Sequence, residues 1–231
     1  MKESPFLRRA IKPQRPAKAP LSRDAVIAAG MTVLRRAGLD AVTMRAVAAE
    51  LDTGPASLYV YVANREQLLN EMFDAVAREV EPGPEPDAAR WREQLEALLT
   101  RVRDAMDRHP GIARVPLANI PTGHGAMRIV ERMLGILRAG GIPEQSAAWF
   151  VDCVFLYVNA ASLETSIYVE SGLTEDVAAG TRERFEQIDT AEYPLLASMT
   201  GALFSGDGDA RFSFGLRLMI EGLRHVKTSA R

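Results

Sequence analysis

The chain has 231 residues, room for one large domain or two small ones, and at 47% hydrophobic and 25% charged it has the composition of a folded globular protein rather than a disordered or fibrous one. Its 28 basic and 30 acidic residues almost cancel, but residues 1–65 hold 11 basic against 5 acidic side chains, a balance of +6, while residues 66–231 hold 17 against 25, or −8. A basic head suited to a polyanion follows, nucleic acid before membrane, because a membrane-binding segment also needs an apolar face.

Residues 1–20 carry Pro5, Pro13, Pro16 and Pro20 among basic residues. They hold too little apolar surface to offset ordering entropy and are expected to form a disordered basic arm. No apolar stretch of the kind a secretory leader requires is present there, so a cytoplasmic location is expected. Ser22 can cap a first helix running to about Ala37, with Val26, Ile27, Ala29, Gly30, Val33 and Leu34 on one stripe and Gly38 as terminator. Thr43 caps a short second helix from Met44 to about Leu51, whose Met44, Val47, Ala48 and Leu51 share a single face.

Asp52-Thr53-Gly54 then turns the chain, and Pro55 suits the first position of a short third helix ending near Tyr61 or Val62. Asn64 followed by Gln67 makes a capping-box start for a fourth helix, which passes through Leu68, Leu69, Met72, Phe73 and Val76 to about Glu79. The run Glu81-Pro82-Gly83-Pro84-Glu85-Pro86 stops it.

Beyond lie helical patterns only: 87–108, 127–139, 144–170, 175–187 and 209–226. The apolar stretch Ala147–Leu163, interrupted by Asp152 and Asn159, falls short of the roughly 20 residues of a membrane span and reads as a buried helix. The single cysteine, Cys153, excludes a disulfide within the chain and reads as a small buried hydrophobe. No alternating strand and no internal repeat appears, so the fold class is all-α.

Two short helices joined by a tight turn inside a basic segment form a helix-turn-helix, the arrangement in which the second helix enters the major groove of DNA. The run from Leu21 to Val76 resembles the N-terminal domain of the tetracycline-repressor (TetR) family of bacterial transcription regulators. The carrying pieces are Gly38-Leu39-Asp40-Ala41-Val42-Thr43-Met44, Val47-Ala48-Ala49-Glu50-Leu51, Ser57-Leu58-Tyr59, and Tyr61-Val62 with Asn64-Arg65-Glu66 and Leu68-Leu69. One departure is Asp52, where the family usually has Gly; Asp tolerates a left-handed backbone better than most residues.

The resemblance implies a helix-turn-helix domain at 21–66, a ligand-binding and dimerisation domain at 67–231, and a homodimer that leaves a palindromic operator when a small-molecule effector binds. It implies a DNA surface built from Thr43, Arg45, Pro55, Ala56, Ser57, Tyr59, Val60, Tyr61 and Arg65. Arg45 there takes either guanine O6/N7 or a phosphate, Ser57 and Tyr59 are hydrogen bonders, and Val60 and Ala56 offer apolar contact such as a thymine methyl. Arg65, at the start of the fourth helix, matches a position directed at the phosphate backbone. Lys12, Arg15 and Lys18 either add contacts to DNA or form a solvated tail.

In the acidic body Asp152 and Asn159 lie two helical turns apart on one line of an apolar helix. They either line a ligand cavity with Trp149, Phe155 and Leu156 or hydrogen-bond across a dimer seam. His109, Asn119, His124 and Met127 fall around the broken stretch 110–125, where the family has its trigger helices and pocket wall. The histidines make no metal spacing with Cys153, so neither metal nor cofactor is expected. Asp207 and Asp209 lack a calcium-loop pattern, and Asp209 reads as a helix cap. The competing function is a small helical enzyme with a basic N-terminal extension.

Overall fold

The computed structural model describes residues 20–118, 121–172, 175–223 and 225; most of the basic arm and the candidate Asn119 lie outside them. The described residues hold ten α-helices, two 3-10 helices and no strand.

The head is built from α1 (Arg23–Ala37), a 3-10 turn (Leu39–Ala41), α2 (Met44–Glu50), a 3-10 helix (Pro55–Val60) and the first half of α3 (Arg65–Arg78). Each of the three α-helices starts with the predicted cap: Ser22 accepts from Ala25 N, Thr43 from Ala46 N and Asn64 from Gln67 N, relieving amides that no helix turn can satisfy. Gln67 Oε1 reaches back to Ala63 N at 2.6 Å, one residue beyond the cap itself. Gly38 ends α1 at φ 79°, a conformation that a side chain would resist. Asp52 adopts φ 50°, so the left-handed turn between α2 and the 3-10 helix survives without glycine.

The third helix differs from expectation by being 3-10 throughout. Its Leu58 is completely buried and Val62 is 1% exposed. A six-residue piece pinned at one apolar point gains little from α-helical winding, and the tighter turn suits short segments.

The body comprises α4 (Trp91–Asp107), α5 (Arg114–Ala118), α6 (His124–Ala139), α7 (Glu144–Ser171), α8 (Glu175–Glu186), α9 (Pro194–Leu203) and α10 (Gly208–Gly222). One apolar core runs without a break from Val26 and Leu34 of α1 through Met72 and Val76 of α3 into Leu95, Leu98, Met133, Val158 and Leu216 of the body. Head and body are therefore coupled by packing, each fully buried aliphatic side chain contributing about 1.5–3 kcal/mol. Helix α3 is the bridge, packing on α1 at one end and on α4, α5 and α6 at the other.

Helix α7 runs through 28 residues and, by length and composition, is long and apolar enough to cross a membrane, unlike the shorter stretch expected. Its inner face packs on α4, α5, α6 and α10. Tyr157 donates to the backbone carbonyl of Phe212 at 3.0 Å and stacks on the Phe212 ring, and burial pushes its phenol up from the usual range.

Two expectations are corrected. Cys153 is exposed rather than buried, because it sits on the outer face of α7 beside exposed Trp149 and Leu156. Asp207, not Asp209, caps α10 by accepting from Ala210 N at 2.7 Å, and Asp209 in the first turn pairs with Arg103 at 2.8 Å.

Candidate functional site

The outward surface of the helix-turn-helix is formed by exposed Thr43, Arg45, Pro55, Ala56, Ser57, Tyr59 and Val60. With Leu58 and Val62 turned inward, Tyr59 (54% exposed) and Val60 (81%) are held outward on a rigid turn. Thr53 donates its hydroxyl to Ser57 Oγ at 3.3 Å, and Thr43 Oγ1 caps α2, so the hydroxyl groups of Ser57 and Thr43 are already engaged. Arg45 projects from the first turn of α2 without a salt bridge or side-chain hydrogen bond among the described residues. A cation near the positive end of a helix dipole gains nothing locally and is available to an anion.

Tyr61 and Arg65 are tied into the fold. The Tyr61 hydroxyl donates to Leu21 O at 2.7 Å, fastening the end of the 3-10 helix to the start of α1. Arg65 donates from Nε to Val42 O at 2.6 Å and from Nη2 to Leu39 O at 3.0 Å, clamping the N-terminus of α3 to the loop before α2. Its side chain thus fixes the loop that leads into α2.

A second site lies in the body, a cavity of about 690 Å³. Phe73, Val76 and Ala77 of α3 form one wall and Val102, Ala105 and Met106 of α4 another. Pro116 and Leu117 of α5 and Pro121 supply the rim, Met127, Val130 and Glu131 come from α6, and Val151, Asp152, Phe155, Leu156 and Asn159 from α7. The size suits a drug-sized molecule in a mostly apolar setting with a few polar groups.

Five sequence candidates therefore meet at this cavity: Met127, Asp152, Phe155, Leu156 and Asn159. Three described candidates lie elsewhere. Trp149 points out of α7 at 59% exposure; His124 opens α6 in solvent; and His109 places Nε2 3.1 Å from Glu79 Oε1, joining the end of α4 to the end of α3.

Sequence reasoning missed the α3 wall, since the periodicity of Phe73, Val76 and Ala77 announces burial without saying that a void adjoins it. It also missed Glu131 and Asp74. Asp74, only 6% exposed, accepts from Gly125 N at 2.8 Å and Ala126 N at 3.2 Å, so a carboxylate of α3 closes the N-terminus of α6. The approach is close enough that a Cβ on Gly123 would stand 2.1 Å from Asp74 Oδ1. Arg128 of α6 adds contacts to Arg78 O and Val80 O at 3.0 Å. Helix α3 thus carries part of the cavity wall, a polar seam with α6 and, at its first turn, the clamp on the loop before α2.

Residues 26–72 match the family described as bacterial regulatory proteins, tetR family, and residues 83–227 match the tetracyclin repressor-like C-terminal domain. The HTH-type transcriptional repressor DrrR1 of Streptomyces coeruleorubidus is 31% identical over 221 residues, covering 92% of this chain and 80% of that protein. Apo ActR of Streptomyces coelicolor superposes with a TM-score of 0.83 at 36% identity, covering 90% of this chain and 96% of that one. ActR in complex with actinorhodin gives 0.83 at 35% identity, covering 90% and 98%.

Proposed function

The chain belongs to the tetracycline-repressor family and is a ligand-responsive, DNA-binding transcriptional regulator, and from that premise we propose how its residues divide the work. Tyr59 and Ser57 hydrogen-bond base edges in the major groove, Val60 and Ala56 make apolar contact with them, and Thr43 and Pro55 frame the surface. Arg45 takes guanine or phosphate, and Arg65 holds the reading surface in register while its charge faces the backbone.

Two such surfaces on a homodimer meet a palindromic operator in half-sites one helical turn apart, about 34 Å. The dimer forms through the outer faces of α7 and α10, where Ile167, Tyr168, Phe214 and Leu218 are each at least half exposed in the single chain. The protein acts in the cytoplasm, where the operator lies.

The effector enters the body cavity. A ligand that displaces α6 moves α3 through the Asp74 seam and so changes the spacing of the two heads. A preference of about 1–3 kcal/mol for the released state is enough to weaken operator binding 5- to 150-fold. The observation that carries this reading is that one helix, α3, lines the cavity with Phe73, Val76 and Ala77 and, through Arg65, anchors the loop that leads into Thr43 and Arg45 of α2. The relatives are regulators, so a small helical enzyme with a basic extension is not favoured.

The test is selection of bound genomic fragments by purified protein, with Tyr59→Ala as control, followed by titration of the enriched duplex. Enrichment of a palindrome that is lost in the variant is expected. Sequence-blind binding by both proteins would remove Tyr59 and its neighbours from the reading surface.

A further inference from the structure

The charge of the cavity points to the chemistry of its occupant. Among the described lining residues there is no Lys, Arg or His, but there are two carboxylates, Glu131 on α6 and Asp152 on α7. Both reach solvent and mark the mouth together with Met127 and Leu156. Neither makes an ion pair or side-chain hydrogen bond with the described residues. That contrasts with other carboxylates of the body, where Glu79 meets Arg108, Glu85 meets Arg132, Asp107 meets Arg103 and Glu221 meets Arg92.

Deeper in, Asn159 is 4% exposed, lines the same cavity and has no hydrogen-bond partner among the described residues. Its amide borders the open cavity, so both its donor and its acceptor are free to meet whatever fills the space. The remaining wall is aliphatic or aromatic.

We propose, on the reading of this cavity as the effector site, that the effector is an amine-bearing cation with a large apolar body, its ammonium held at the mouth by Asp152 and Glu131. A hydroxyl or carbonyl at its buried end meets Asn159. Asp152 and Asn159 are seven residues apart on one helix, so these two polar groups of the ligand are separated by about 10 Å.

The physical basis is asymmetric. Two uncompensated carboxylates beside low-dielectric walls make the mouth negative, which raises the local concentration of cations and opposes anions. An anionic ligand would meet like charge and shed its own hydration with no counter-charge on the wall to replace it. The empty site incurs no such penalty because both carboxylates remain in water.

The experiment uses full-length protein and three fluorescent tricyclic probes that differ only in one substituent: 9-(aminomethyl)anthracene, 9-anthracenemethanol and 9-anthracenecarboxylate. Anisotropy titrations at neutral pH and fixed salt should rank the amine above the alcohol and the alcohol above the carboxylate, with about tenfold between amine and carboxylate. In the double variant Asp152→Asn, Glu131→Gln that spread should shrink to within about threefold. Ala148→Trp, a change at an exposed lining position, should block all three probes.

A carboxylate probe that binds wild type as tightly as the amine, or a preference for the amine that survives in the double variant, overturns the charge assignment while block by Ala148→Trp leaves the cavity standing as the binding site. Binding of no probe, or binding indifferent to Ala148→Trp, overturns the cavity reading and the charge assignment with it.

Discussion

Arg65 illustrates how one side chain can be asked for two things. Its sequence position suggests a phosphate contact, whereas its guanidinium also satisfies two carbonyls that the loop before α2 leaves open. Arg65→Ala should therefore lower thermal stability, by about 2 kcal/mol from lost charged hydrogen bonds, as well as operator affinity. Arg65→Lys keeps the charge but not the fork, so its melting temperature should fall nearly as far. A salt slope reduced by about one phosphate with unchanged melting would assign Arg65 to DNA alone. Asp107 offers a second case at this scale: burial pushes its carboxyl up, against the opposing pull of Ser162 and of the Arg103 ion pair at 3.2 Å. A raised carboxyl favours the folded chain most when protonated, so its contribution is complete in acid and declines as pH rises through the folded value. The stability of wild type relative to Asp107→Asn should thus increase on going from about pH 6 to pH 4. Thermal scans of both proteins across that window check it, and the opposite trend would mean that the Arg103 pair outweighs burial.

Helices α3 and α6 meet through hydrogen bonds from two backbone amides to one buried carboxylate rather than by apolar packing alone. That contact has a fixed geometry, so a shift of α6 is passed to α3 instead of being absorbed by side-chain repacking. Gly123→Ala would force a Cβ into Asp74. The variant is expected to weaken operator binding about tenfold without any effector while keeping its helical content, imitating the displaced state. A lowered melting temperature with unaltered operator affinity would make the seam structural only. Arg114 on α5 also reaches Asp40 of the head at 3.3 Å, but both groups are largely in water and such a pair contributes little.

In the whole molecule, exposed apolar surface is concentrated on the outer faces of α7 and α10 and on α9, where Leu195, Met199 and Leu203 recur at four-residue spacing. The inner face of α10 buries Phe212, Leu216 and Ile220, so Phe214 and Leu218 are left outside by helical geometry alone. Phe214→Glu with Leu218→Glu should give a monomer in sedimentation velocity and weaken operator binding at least about 100-fold, because the second half-site then contributes no effective concentration. A dimer that persists in this variant would place the interface elsewhere. The basic head and acidic body noted in the composition have distinct consequences at this scale: the first supports DNA approach, and the second leaves the cavity mouth negative.

Much of this was legible in the sequence because it is local. Caps at Ser22, Thr43 and Asn64, the terminator Gly38 and the burial of Leu58 and Val62 each depend on a few neighbouring residues, and with Leu58 and Val62 inside, Tyr59 and Val60 stay exposed. What depended on distant segments was not legible. No periodicity distinguishes a helix face that meets a neighbour from one that borders a void, so Phe73 and Val76 read as core while they also wall a cavity. Trp149, Asp152 and Cys153 all lie on one apolar helix, yet only Asp152 borders the cavity, and Cys153 proved exposed. The Asp74 seam joins residues 51 positions apart and rests on glycines that read in sequence only as breaks. The sequence by itself determined where the head's helices start and stop and which of its side chains turn inward, since both follow from short-range periodicity and capping. Tertiary packing decided where the cavity lies, which carboxylates face it unpaired, and how α3 links it to the head, because these depend on the approach of helices far apart in the chain.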